Sequence, residues 1–293
     1  MNIRLKNEKL EATVCSAGAE LVSLKKGGRE YMWGADPAYW GRTAPILFPF
    51  VGSLKGKAYR YQGKSYEMGQ HGFARDMEFE VVSQTGTKVV MQLVETEWTM
   101  EKFPFRFLLE LSYELRGEEL LVGWHVKNTD DKTLYFSIGG HPAFLCPIEG
   151  KGNQSDYMLR FMKDKKPVQE IVSAIIVEGG LVGEGTVEFG LDDGYLPITK
   201  KLFDTDTIVL EDGQCDAVSL IDPEGREYLR VSFPMPIVGI WTPVLKNAPF
   251  ICIEPWCGRC DDADFEGELS ERKWGNSLEP SEEFDAFYTI GVF

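Results

Sequence analysis

The 293-residue sequence has few histidines, a deficit of positive charge and no long apolar run. His71, His125 and His141 are its only imidazoles, so histidine chemistry is confined to three places. Lysine and arginine total 31 against 46 aspartates and glutamates, giving a net charge of −15. Binding nucleic acid or an anionic membrane requires clustered basic side chains. Neither partner is expected, although one or two arginines could still hold a single anionic group. No segment approaches the roughly 18 uninterrupted apolar residues of a membrane-crossing helix. The start, MNIRLKNEKLEATV, is polar and alternating rather than a leader with an apolar centre. Six cysteines (Cys15, Cys146, Cys215, Cys252, Cys257 and Cys260) are too sparse for a disulfide scaffold. A cytoplasmic protein with reduced thiols is the expectation. Glycine-rich phosphate loops, a G-x-S-x-G elbow and H-E-x-x-H are all missing, which removes most nucleotide, hydrolase and zincin readings.

What is present is a globular composition with period-two patterning. Hydrophobic residues make up 43% of the chain, enough to build a core. From Phe105 to Leu115, apolar side chains occupy every odd position, while Arg106, Glu110, Ser112 and Glu114 lie between them, as in a half-buried strand. Arg116-Gly117-Glu118 then turns the chain into Leu120–Asn128. Gln62-Gly63-Lys64 and Asp222-Pro223-Glu224-Gly225 signal two more hairpins, with Pro and Gly supplying the turn dihedrals. Further strands are expected at Val89–Val94, Thr133–Ile138, Val238–Trp241, Phe250–Ile253 and Phe287–Val292. Helical signals are short, at Val168–Val177 and Ile198–Leu202. Many short strands with turns between them indicate an all-β, large antiparallel sandwich. No linker divides the chain, so residues 1–293 are read as a single domain.

Four segments could carry chemistry. In Gln70-His71-Gly72-Phe73-Ala74-Arg75, a His beside Gly is followed by Arg; this is a site loop or an ordinary loop with a surface Arg. The apolar, proline-interrupted stretch Arg42–Val51 ahead of it would suit a pocket wall. In Ser137–Phe144 a strand runs into Gly139-Gly140 and then His141-Pro142, where glycines permit close approach. In Phe250–Trp256, Glu254 closes an otherwise apolar strand. A carboxylate so placed is a candidate base. Pro255 is expected to end that strand, and Trp256 offers a flat face suited to the C–H side of a sugar. Cys257-Gly258-Arg259-Cys260 lacks the second cysteine pair of a zinc ribbon, and no His lies near it in the sequence; it reads as structural. His125 has no motif and falls on the polar face of its strand, opposite Val122, Trp124 and Val126.

Taken in order, QHGFAR, GGHPAF and CIEPW resemble the aldose 1-epimerase (galactose mutarotase-like) family, nearest its LacX-like branch and similar also to the glucose-6-phosphate 1-epimerase branch. The likeness runs from Glu20–Leu24 to the C-terminal strand. It implies a galactose mutarotase-like supersandwich acting on a small-molecule sugar with no cofactor or metal, as a monomer or homodimer. It further implies that His141 is the general acid, Glu254 the general base and His71 a second site histidine. Asp206 matches a residue that binds sugar hydroxyls, with Asp204 an open alternative. Arg75 and Arg42 fall where related branches line the site with arginine. The expected reaction is interconversion of α and β anomers of an aldohexose. A hexose-6-phosphate 1-epimerase and a non-catalytic carbohydrate-binding protein are the alternatives. Galactose-specific members carry an Asn-Arg pair before the first histidine motif, whereas Val51–Lys55 has no Arg, which leaves the sugar open. Arg42, Arg75 and Lys55 could supply a phosphate clamp.

Overall fold

The computed structural model describes residues 1–204 and 206–293. Its architecture is a sandwich of two large antiparallel sheets. One sheet runs Lys166–Pro167, Met158–Lys163, Ala217–Ile221, Glu227–Ser232, Glu283–Val292, Glu119–Asn128, Phe107–Arg116, Lys88–Val94 and Glu80–Gln84. Period two decides which face of it is buried. Phe107, Leu109, Leu111, Tyr113 and Leu115 point inward, as do Leu120, Val122, Trp124 and Val126 on the neighbouring strand. The opposite face is polar: His125 Nδ1 meets Asp285 at 2.9 Å and Lys127 meets Glu283 at 2.6 Å. His125 is thus a surface residue, as its strand position implied.

The second sheet runs Leu181–Gly190, Glu170–Val177, Ile208–Leu210, Ile237–Trp241, Phe250–Cys257, Ile138–Gly140 and Ile46–Leu47. Ala143–Leu145 also pairs with the Phe250–Cys257 strand. Ile208, Leu210, Val238, Ile240, Ile251 and Ile253 face the other sheet and join its core. The outer face is apolar as well, with Leu47, Val51, Val209, Ile237 and Trp256 forming a separate cluster. Every residue from Phe250 to Cys257 is buried, the pattern of a strand covered on both faces. That covered outer face is where the cleft forms.

An N-terminal four-stranded sheet comprises Asn2–Lys6, Leu10–Cys15, Glu20–Lys26 and Arg29–Glu30. From it, Glu20 accepts the backbone N–H groups of Thr43 and Ala44 at 2.7 and 2.8 Å, tying down the segment that leads to the cleft.

Two local expectations are corrected, and one helix was not anticipated. Val168–Val177 is not helical: Glu170–Val177 is a strand, because five of its eight residues are β-branched, with Ile171 and Ser173 inward. Ile198–Leu202 forms turns. The α-helix found among the described residues is Glu97–Lys102, capped reciprocally by Thr96 and Thr99. No helix is long and apolar enough to cross a membrane among the described residues.

Leu111 is 1% exposed and sits between Met91 and Trp124 in the register. Leu111→Ala should lower unfolding free energy by about 2–5 kcal/mol in urea denaturation, the range for buried leucine deletion. A loss below about 1 kcal/mol would show that the core collapses around the deletion.

Candidate active site

Gly139 stands opposite Trp256, and Ala143 stands opposite Cys252. One register therefore runs through both short strands, and the break at His141-Pro142 falls directly across from Glu254. His141 Nδ1 lies 3.3 Å from Glu254 Oε1, with both side chains almost wholly buried. The strand does not end at Pro255, contrary to expectation, and continues to Cys257. Ile253 donates its N–H to the Pro142 carbonyl at 3.3 Å. Two residues on, the missing N–H of Pro255 points to the same side, into the break, where no ladder acceptor is required.

On its other side Glu254 pairs with Gly239. A Cβ at Gly239 or at Gly139 would lie 2.5 Å from the Trp256 ring. Both glycines are required so that this indole can lie flat across the sheet beside the carboxyl. Gly140 serves the other face, where a Cβ would meet the Tyr288 hydroxyl at 2.9 Å.

His71 arrives from a tight loop. Its N–H donates to the Gly52 carbonyl at 2.9 Å, and the Gly52 N–H donates back to His71 Nδ1 at 3.1 Å. Because Nδ1 accepts, the neutral ring is assigned its proton on Nε2, a donor. The backbone of His71 is left-handed (φ +66), and Gly72 follows at +69. A Cβ on Gly72 would lie 2.3 Å from the Phe48 carbonyl oxygen, so the H-G pair is a packing requirement.

His71, Arg75, His141, Asp206, Glu254 and Trp256 line one cavity of about 350 Å³. Six of the seven residues singled out in the sequence thus come together. Arg42 is not in the lining; it bonds Asp76 at 2.6 Å behind Arg75. Arg75 donates to the Gln70 carbonyl at 2.8 Å, and its buried Nε has no hydrogen-bond partner. Asp206, rather than Asp204, reaches the cavity; Asp204 borders a separate one. Lys55 pairs with Glu266 outside the site.

Burial dominates the electrostatics. It raises the Glu254 carboxyl well above the usual range, with the nearby Asp206 adding to the effect and the Trp256 indole opposing it. Burial also pushes His141 down to about 3, and the charges of Arg75 and Arg42 act in the same direction. His71 is lowered well below normal, first by burial and then by His141. Both members of the pair favour their neutral forms. Between the two shifted values His141 and Glu254 therefore hold one proton together, on the carboxyl.

A sequence model of the family described as Aldose 1-epimerase matches residues 1–290. The chain belongs to the aldose 1-epimerase family. It is 33% identical over 286 residues to the plasmid protein LacX of Lactococcus lactis subsp. lactis, covering 93% of each chain. A galactose mutarotase related enzyme from Lactobacillus acidophilus superposes with a TM-score of 0.93 at 32% identity, covering 100% of this chain and 97% of the other. A galactose mutarotase-like protein from Lactobacillus casei gives 0.92 at 29% identity, with both chains covered in full.

Relative to this family's expected site, the sequence reading missed the aromatic housing of His141. Trp40 stacks on the imidazole at a centroid distance of 4.7 Å, and Trp241 meets it edge-on at 5.4 Å. Trp40 is held by the Trp33 indole, which donates to its carbonyl at 2.9 Å. Its face favours an imidazolium, offsetting part of the burial effect when a proton moves onto the ring. Tyr39-Trp40 beside Arg42 was the available signal, but nothing in the spacing ties it to residue 141. The two cysteines of the Cys257–Cys260 motif part: Cys260 borders the cavity. Cys257 joins the core, and Arg259 between them pairs with Glu211 and Asp262. Burial pushes these thiols up to about 12 and about 11.

A carboxyl with a raised pKa binds protons that the unfolded chain releases, so its contribution to stability falls as pH rises above about 4.5. Glu254→Gln should therefore raise the melting temperature at pH 7–8 in buffer free of divalent cations, and the gain should vanish near pH 4. A variant less stable at pH 8 than at pH 4, relative to wild type, would show that Glu254 is held ionised.

Proposed function

We propose that this chain is an aldose 1-epimerase that interconverts the α and β anomers of an aldohexose. The observation that carries the reading is the His141–Glu254 pair, a potential acid and base 3.3 Å apart in a sugar-sized cavity. Anomerisation requires one group to take the proton of the anomeric hydroxyl and another to protonate the ring oxygen. The pair contains one donor and one acceptor, and transfer between its members gives the form with Glu254 as base and His141 as acid. The aldehyde end then rotates about C1–C2, and re-closure with the roles reversed yields the other anomer. Each positioned proton transfer contributes typically 10²–10⁴-fold.

The other residues fit binding roles. His71, with Nε2–H as donor, is suited to hold a sugar oxygen. Asp206 already accepts the Thr207 N–H at 2.8 Å and hydroxyl at 3.0 Å through Oδ1, which leaves Oδ2 for a hydroxyl donor. Trp256 supplies an apolar floor. We read residues 1–293 as one functional unit, since core residues run from Ile3 to Val292. One observation favours a 6-phosphorylated hexose instead: Arg42 bonds Asp76, while the buried Arg75 Nε makes no hydrogen bond and has only the Asp76 carboxylate, 3.7 Å away, for its charge. Lys55, held by Glu266, is no part of that clamp.

Polarimetry on paired free and 6-phosphorylated sugars tests these readings. Wild type should accelerate anomer exchange, and His141→Asn and Glu254→Gln should each slow it by about 10²–10⁴-fold while melting cooperatively. Saturable sugar binding without acceleration would overturn the enzyme reading in favour of a carbohydrate-binding protein. A preference for the phosphorylated sugar that Arg75→Ala removes would replace the free hexose as substrate.

A further inference from the structure

The sequence offered no metal site, because no histidine lies near any cysteine pair along the chain. The register changes that. Cys252 and Glu254 are two residues apart on one strand and so share a face, and His141 stands across from Glu254. One ring nitrogen of His141, Cys252 Sγ and a Glu254 carboxylate oxygen all lie within 4.8 Å of one another. Among the described residues this is the group of three or more such donors close enough to share an ion. His141 Nδ1 and Glu254 Oε2 are both buried without a hydrogen-bond partner. Their residues are 6% and 1% exposed, and Cys252 is fully buried.

We propose that His141, Cys252 and Glu254 bind a borderline-soft divalent cation, zinc or cobalt, at the floor of the cleft. One nitrogen, one thiolate and one carboxylate are the donor types that zinc takes, with an open position left when three come from protein. Magnesium and calcium prefer all-oxygen sets and are disfavoured here. A tetrahedral ion needs donor separations of roughly 3.3–3.7 Å. The His141–Glu254 pair already meets this at 3.3 Å, and rotation of the side chains brings in the thiol. Binding displaces two protons to solvent through the cavity, one from the Cys252 thiol and one from the Glu254 carboxyl, driven by the charge of the ion. The cavity in front of the pair provides entry and the fourth position. Such an ion is no cofactor of the proposed reaction. It occupies the atoms assigned to proton transfer, so zinc becomes an inhibitor competing with the sugar.

The test needs no sugar and is independent of the reaction. Reduced wild-type protein is titrated with Co²⁺ and followed by near-ultraviolet absorption, then with Zn²⁺ by calorimetry. One ion per chain should bind, with a thiolate-to-cobalt band. Cys252→Ala should lose the band, and both Cys252→Ala and Glu254→Gln should bind at least about tenfold more weakly. Two variants are used so that a packing defect from either one is not mistaken for loss of a ligand; cooperative melting is checked for each. Absence of Co²⁺ and Zn²⁺ binding at millimolar concentrations overturns the proposal. So does stoichiometric binding that both variants retain unchanged, which would put the ion at other thiols such as Cys257 and Cys260.

Discussion

The register between Phe250–Cys257 and the two short strands beside it fixes everything that follows. Gly139 against Trp256 and Ala143 against Cys252 place His141 directly across the sheet from Glu254. The two-residue break between the short strands frees His141 and Pro142 from the ladder without disturbing that alignment. A slip of one residue would turn Glu254 into the core and Ile253 into the cleft. The register is therefore held from both faces, by Ile251 and Ile253 inward and by Trp256 outward.

The same constraint makes the site expensive to fold. A carboxyl, two imidazoles and an arginine nitrogen are buried with few hydrogen-bond partners, in a region that apolar packing would otherwise fill. The surrounding aromatic shell provides the rigidity: Trp33, Trp40, Trp241 and Phe250 interlock around His141, while Trp256 spans the two glycines. Low dielectric then does what water could not, pushing the imidazole and carboxyl toward a shared single proton. The stability given up at Glu254 and the proton affinity raised there have one physical origin.

Much of this was legible in the sequence. Alternation located Phe107–Arg116, because half-buried strands write their burial at period two, whereas Met158–Lys163, Leu181–Gly190 and Ile208–Leu210 were not anticipated. The motif triplet located His71, His141 and Glu254, and in hindsight GGHPA and CIEPW carry the register itself, with sites and glycines at every second position. Fully buried segments were harder. Pro255, within the wholly buried Phe250–Cys257 strand, looked like a terminator because the break beside it is invisible from one strand alone, and Glu170–Val177 looked helical because its apolar residues run consecutively rather than alternate. Trp40 and Cys252 escaped because their roles arise only from chain segments about 100 residues from His141. Arg42, expected to line the site, lies outside the cavity lining and bonds Asp76 instead, a distinction that no spacing encodes.

The account rests on His141 and Glu254 working as one unit. A double-mutant cycle on anomer exchange, measured by exchange NMR with the best sugar substrate, tests this most directly. If the pair shares one proton and both proton transfers depend on it, the double variant His141→Asn/Glu254→Gln exchanges anomers no more slowly than the slower single variant. If the two losses multiply in the double variant, the residues act independently and the paired mechanism is wrong.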